Sequence, residues 1–198
     1  MACGKGRRFG ENKLLQVIDG KSLAEIAIDS LPRERFERIV FVTKYEELFL
    51  LAKSKGLISI LLPNDETNDV SLTITSGMEY IGESDGCMFC VCDQPLKTTA
   101  SINKLIDKFF DNPGSIVALS YNGKKGNPVI FDKVFFDELK HLKGDNSGSF
   151  VIKANKDKLL LCEANHEYEL FDVDTKQDLA KLKDMFYLLK RTNPSLNK

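Results

Sequence analysis

An excess of either charge is missing from this sequence: 28 Lys and Arg stand against 29 Asp and Glu in 198 residues, a formal net charge of −1. That balance excludes a general polyanion binder, so no nucleic acid is expected as a partner. Long apolar runs are missing too. No stretch approaches the roughly 18–20 apolar residues that cross a bilayer, and residues 1–8 carry no apolar signal-peptide region. No membrane partner is expected, and the expected location is cytoplasmic. Cysteines are few and odd in number at five, which makes disulfides unexpected. Cys87, Cys90 and Cys92 share one apolar run, where alternation sets Cys90 and Cys92 on one strand face; buried thiols of a central strand are the expectation. Cys162 and the two histidines, His141 and His166, stand singly, so zinc lacks a second short-spaced pair of ligands. Internal repeats, low-complexity tracts and linkers are also absent.

What is present is a globular composition, 42% hydrophobic and 29% charged, at a length that suits one domain with a sizeable core. Apolar runs at 39–43, 58–62, 86–92, 115–120 and 128–131 read as short buried strands bounded by turn residues. Amphipathic runs lie between them. Leu23, Ile26, Ala27 and Leu31 mark one helix face. Ile102, Leu105, Ile106 and Phe109 mark another, opened by Thr98 or Thr99 and stopped at Asn112-Pro113-Gly114. The last helix carries Leu179, Leu182 and Phe186, with Thr175 and Asp178 as its capping box. This alternation predicts an α/β fold, a single-domain three-layer sandwich with a mostly parallel sheet, whose ligands lie at the carboxyl ends of the strands. Residues 191–198 read as a tail.

The first dozen residues break the alternation. Gly4, Gly6 and Gly10 let backbone amides approach an anion, and Lys5, Arg7, Arg8 and Lys13 neutralise it, so the segment reads as a phosphate cradle. No register supplies the spacing of a P-loop. The dinucleotide fingerprint fails as well, because its third glycine falls one place late and the helix opens only near Ser22. What remains is a connection of about 18 residues, long for a compact domain, which marks either a functional loop or a solvated basic one. Such loops follow a strand of about five or six residues. Either a strand lies upstream of Met1, or Met1, Ala2 and Cys3 serve as a stub.

Two acidic segments complete the candidates. Asp93 ends an apolar strand before Gln94-Pro95, where a carboxylate can hold a hard cation that takes its other ligands from water and phosphate. The alternative is an ordinary turn or capping aspartate. In Phe171-Asp172-Val173-Asp174-Thr175, period two aims both aspartates to one side; one can complete a metal site while the other caps the helix. A further helix opens at Asp69-Val70-Ser71-Leu72-Thr73, whose hydroxyls and amides meet a ligand or cap the helix.

In this order the motifs resemble the molybdenum cofactor cytidylyltransferase group of the nucleotidyltransferase family that also includes molybdopterin guanylyltransferase. Residues 1–13 are similar to the family signature Leu-Ala-Ala-Gly-x-Ser/Gly-x-Arg-Met/Phe-Gly-x-x-Lys. Cys92-Asp93-Gln94-Pro95 resembles its metal motif, Gly126-Asn127-Pro128-Val129 its Gly-His-Pro-Val, and residues 172–178 its Asp-Ile-Asp-Thr-Pro-Glu-Asp. Asn127 stands where the family has histidine, and Cys3 where it has Ala or Gly. The resemblance implies a Rossmann-like nucleotidyltransferase sheet over a domain of residues 1–190. It implies Mg2+-dependent transfer of CMP from CTP to molybdopterin, with a molybdenum hydroxylase as possible recipient of the product. Guanylyl transfer, another phosphate acceptor, and a non-catalytic cofactor-delivery protein are the alternatives. By the same resemblance Arg8 and Lys13 are catalytic, Ala2, Cys3, Gly4, Gly6, Gly10, Ser71 and Thr73 bind nucleotide, and Asp93 with Asp172 binds the metal.

Overall fold

A computed structural model describes residues 2, 3, 9, 12–63 and 70–192. A two-strand hairpin, β1 (Val17–Ile18) and β2 (Lys21–Ser22), leads into α1 (Leu23–Asp29). Its turn is Asp19-Gly20, both at positive φ, the conformation that tight hairpins demand. Ser22 caps α1 by accepting the Glu25 N–H at 3.2 Å. There follow β3 (Val40–Thr43), α2 (Glu46–Ser54) and β4 (Ile58–Leu61), a βαβ unit whose two strands pair in parallel. Next come α3 (Val70–Met78), β5 (Gly86–Phe89), α4 (Thr99–Phe110), β6 (Ile116–Tyr121) and β7 (Lys124–Asp132). The chain closes with α5 (Phe136–Lys140), α6 (Gly148–Ala154), β8 (Leu159–Glu163) and α7 (Lys176–Thr192).

The larger sheet has the order β5-β7-β6-β8. It is mixed, which corrects the expectation of a mostly parallel sheet: β7 is antiparallel to both β5 and β6, and only β8 runs parallel to β6. The physical reason is the two-residue turn Asn122-Gly123, both at positive φ, which folds β7 straight back along β6. Pro128 cannot donate to the ladder, and it sits opposite the register shift between Ala118 and Ser120.

Period two sorts β6 between two helical layers, as the sandwich expectation requires. Ile116 and Ala118 pack with α3, α5 and α6 through Ile74, Leu139 and Val151. Val117 and Leu119 face Ile102, Leu105, Ile106 and Phe109 of α4. Thr98 opens α4 by accepting the Ser101 N–H at 3.2 Å.

The last helix lies elsewhere. Leu179 and Leu182 of α7 bury against Phe9, Ile18, Leu23 and Val173, so the C-terminal helix packs on the N-terminal segment. Thr175 and Asp178 cap it reciprocally, through Thr175 N–H to Asp178 Oδ2 at 2.9 Å and Asp178 N–H to Thr175 Oγ1 at 3.1 Å. The helix continues through Thr192, so Arg191 and Thr192 extend it beyond the expected start of the tail. Among the described residues, no helix is long and apolar enough to cross a membrane.

Candidate functional site

Three segments far apart in sequence converge beyond the carboxyl end of β5. The first is a single 3-10 turn, Lys13–Leu15, started by Asn12, whose Oδ1 accepts the Leu14 N–H at 3.2 Å. It aims Lys13 inward. The second is the turn after β5 that carries Asp93 and Gln94. The third is the strap before α7, joined to the second by the Val173 N–H donating to the Asp93 carbonyl at 2.9 Å.

Lys13 Nζ donates to Asp93 Oδ2 at 2.9 Å and to Asp174 Oδ1 at 3.0 Å. Burial alone would pull its ammonium down. The hydrogen bond and charge of Asp93, then those of Asp174, outweigh that and leave it raised, so Lys13 is a cation throughout the neutral range. Asp172 is held differently. Its Oδ1 accepts from Gln94 Nε2 at 2.9 Å. Burial pushes its carboxyl up against that bond, and the charges of Asp93 and Asp174 push the same way. Two carboxylates therefore bond the Lys13 ammonium, Asp172 lies near enough to feel its charge, and the buried Lys97 side chain lies behind them. The cluster is short of positive charge.

Lys97 braces the turn from beneath. It is only 4% exposed, and its Nζ donates to the carbonyls of Val91 at 2.9 Å and Gln94 at 2.6 Å. Burial pulls its pKa down. The turn that presents Asp93 is thus held through its carbonyls by the Lys97 side chain rather than by the Asp93 carboxylate.

The expected site residues divide into three groups. Lys13, Asp93 and Asp172 come together, and Asp174 joins them as a partner of Lys13. Ala2 is buried beside β3, its N–H donating to Val42 O at 3.0 Å and its carbonyl accepting from Thr43 Oγ1 at 3.1 Å. Cys3 lies next to it, with Sγ 3.5 Å from Val42 O. Ser71 and Thr73 point inward from α3 and are buried; Thr73 borders the gap between β3 and β5. Gly4, Gly6, Arg8 and Gly10 lie outside the described residues.

Sequence reasoning missed two buried groups. Nothing in the string Pro95-Leu96-Lys97 marks the lysine as internal. Glu169 is wholly buried and accepts from Thr98 N–H and Oγ1, Ser101 Oγ and His166 N–H at 2.9–3.1 Å. The expected cap at Thr98 was the one signal that a partner was needed there. The five cysteines are all free thiols, with burial pushing Cys87 up to about 12 and Cys90 to about 11.

A divalent cation fits the donor set. The converging side chains offer carboxylate oxygens, the preference of magnesium, and the buried thiols nearby are held protonated. Among the described residues no group of three or more His, Cys, Asp or Glu is placed to hold a metal ion, so a cation held by Asp93 and Asp172 would take its other ligands from water and phosphate.

Beside Asp172 opens a cleft of about 690 Å³, bordered by Tyr121, Lys124, Asn127, Tyr168 and Phe171. Asn127 is joined to Pro128 by a cis peptide bond.

Residues 1–159 match the MobA-like NTP transferase domain. The chain is 25% identical over 190 residues to purine catabolism protein PucB of Bacillus subtilis, covering 90% of this chain and 91% of that protein. It is 24% identical over 192 residues to a probable molybdenum cofactor guanylyltransferase of Thermococcus sibiricus, covering 92% and 95%. Its fold is similar to that of an Rv0371c homologue from Mycobacterium sp. strain JC1, with a TM-score of 0.79 at 20% identity over 95% of this chain and 94% of that one. Rv0371c of Mycobacterium tuberculosis, crystallised in complex with manganese, matches with a TM-score of 0.71 at 17% identity over 92% and 94%.

Proposed function

The chain belongs to the MobA-like NTP transferase domain family, and from that premise we propose that it transfers CMP from CTP to the terminal phosphate of molybdopterin. An acceptor phosphate oxygen attacks the α-phosphorus in line. The bond from that phosphorus to the bridging oxygen breaks, and its electron pair leaves with pyrophosphate. The observation that carries this reading is the meeting of Lys13, Asp93 and Asp174 within 3.0 Å.

Chemistry of this kind needs placement and charge neutralisation more than covalent help. Lys13 and Arg8 oppose the charge that develops on the leaving pyrophosphate, and the amides of residues 4–10 hold the triphosphate. Ala2, Cys3, Ser71 and Thr73 border the nucleoside. Asp93 and Asp172 would hold magnesium, which when bound would neutralise negative charge on the phosphates. The raised carboxyl of Asp172 favours this assignment, since a nearby dication would restore its charged form. The cleft beyond Asp172, with its tyrosines, Lys124 and Asn127, suits a flat, anionic acceptor. A molybdenum hydroxylase would receive the product.

The relative named as a guanylyltransferase supports a second reading, transfer of GMP from GTP by the same groups. Pyrophosphate release with CTP, GTP, ATP or UTP, magnesium and molybdopterin separates them. Release with CTP alone is expected, release with GTP alone selects the second reading, and binding of CTP and magnesium without release removes both.

A further inference from the structure

The cleft beside Asp172 has two walls, and they come from different parts of the chain. One is the tip of the β6–β7 hairpin, with Tyr121, Lys124 and Asn127; the other is the segment that leaves β8 and ends in the strap before α7, with Tyr168, Phe171 and Asp172. The width of the cleft depends on how these two walls are held against each other.

The β6–β7 ladder does not settle that by itself. On one side of its register shift Ala118 pairs with Val129, and on the other Ser120 pairs with Lys125. Four steps along β7 thus answer two along β6, so β7 bulges between Lys125 and Val129. A bulge bends and twists the strand that carries it, and the tip beyond it needs a second fixing point.

The end of β8 supplies one. Glu163 lies opposite Ser120 in the parallel register, and its carboxylate accepts from the residues on either side of Tyr121: Oε2 from Ser120 Oγ at 2.9 Å, and Oε1 from the Asn122 N–H. The same residue is anchored where the second wall begins. Its carbonyl accepts from Lys104 Nζ of α4 at 2.8 Å, and the Ala164 N–H donates to Ser120 O at 2.8 Å. Glu163 is exposed, so no demand of the core selects a carboxylate there. Among the described residues its hydrogen bonds go to the hairpin and to α4, and none to Lys13, Asp93 or Asp174.

We propose that Glu163 is a positioning residue for the acceptor: it clamps the hairpin tip to the start of the opposite wall, and so governs affinity for the acceptor rather than for the nucleotide. The proposal rests on the reading of this cleft as the acceptor's site.

The test is pyrophosphate release by the parent, Glu163→Ala and Glu163→Gln, with molybdopterin and the nucleoside triphosphate varied in turn. Glu163→Ala is expected to raise KM for molybdopterin by about tenfold, with kcat and the nucleotide KM within about twofold of the parent. Glutamine can accept from the Asn122 N–H and donate to Ser120 Oγ, so Glu163→Gln should stay within about twofold of the parent throughout. Amide exchange at Asn122 should quicken by about tenfold in Glu163→Ala alone. An unchanged molybdopterin KM in Glu163→Ala, or an equal rise in both KM values, would overturn the proposal. So would a Glu163→Gln that behaves as Glu163→Ala, since the effect would then be one of charge. A parent that releases pyrophosphate from no nucleotide would instead defeat the nucleotidyl-transfer reading. Calorimetric binding of molybdopterin then decides the clamp: binding weakened in Glu163→Ala and kept in Glu163→Gln upholds it, and equal or absent binding overturns it.

Discussion

Glu169 and Asp172 lie three residues apart, the first wholly buried and the second exposed, and their surroundings differ completely. Glu169 accepts four hydrogen bonds from the start of α4 and from His166, each 2.9–3.1 Å long. Asp172 accepts one from Gln94 and otherwise meets the charges of Asp93 and Asp174, opposed by those of Lys13 and Lys97. The first carboxylate is complete within the protein and ties the strap to the sandwich. The second keeps one hydrogen bond and a carboxyl raised above its usual value. On the proposed reading, stability and function are separated over three residues, with Asp172 as the carboxyl that would meet a metal ion.

That contrast can be broken most severely at Glu169. Glu169→Ala leaves buried donors without an acceptor, and a stability loss of about 3 kcal/mol is expected in urea unfolding; a loss near zero would erase the distinction. Thr175→Ala, which removes half of the reciprocal cap on α7, is expected to cost about 1 kcal/mol by the same measurement. Asp172→Asn should change stability least at pH 7, within about 0.5 kcal/mol and in the stabilising direction, since it removes a carboxylate that the fold disfavours.

The pH dependence gives the sign. A carboxyl whose folded pKa lies above its unfolded value binds more protons in the native state, so its contribution falls as pH rises through that window. Asp178 runs oppositely: the Thr175 hydrogen bond holds its carboxyl below the usual value, and the stability it adds is present above pH ~4 and lost as pH falls through its lowered pKa. Unfolding of Asp172→Asn and Asp178→Asn between pH 3 and 7 should show slopes shifted in opposite directions from the parent.

The legible parts of the sequence were those whose signal is local. Period and capping residues located α1, α4 and α7, and the apolar runs located β3, β4, β5 and β6. The antiparallel course of β7 was also local, in Asn122-Gly123, but its short apolar run at 128–131 hid a longer strand whose first residues are polar. The Leu-rich β8 lacks turn punctuation and passed unread. At the site, Lys13 and Asp93 were legible as types at the right ends of loops. The partnership of Lys13 with Asp174, 161 positions away, and the burial of Lys97 are products of packing that no spacing announces.

The central claim is that Lys13, held by Asp93 and Asp174, acts on the phosphates of a nucleoside triphosphate. Pyrophosphate release by purified Lys13→Ala, with CTP, magnesium and acceptor, tests it most directly. The account predicts turnover lower by about 10² or more with the circular dichroism of the parent retained. Parental turnover from the folded variant would contradict it.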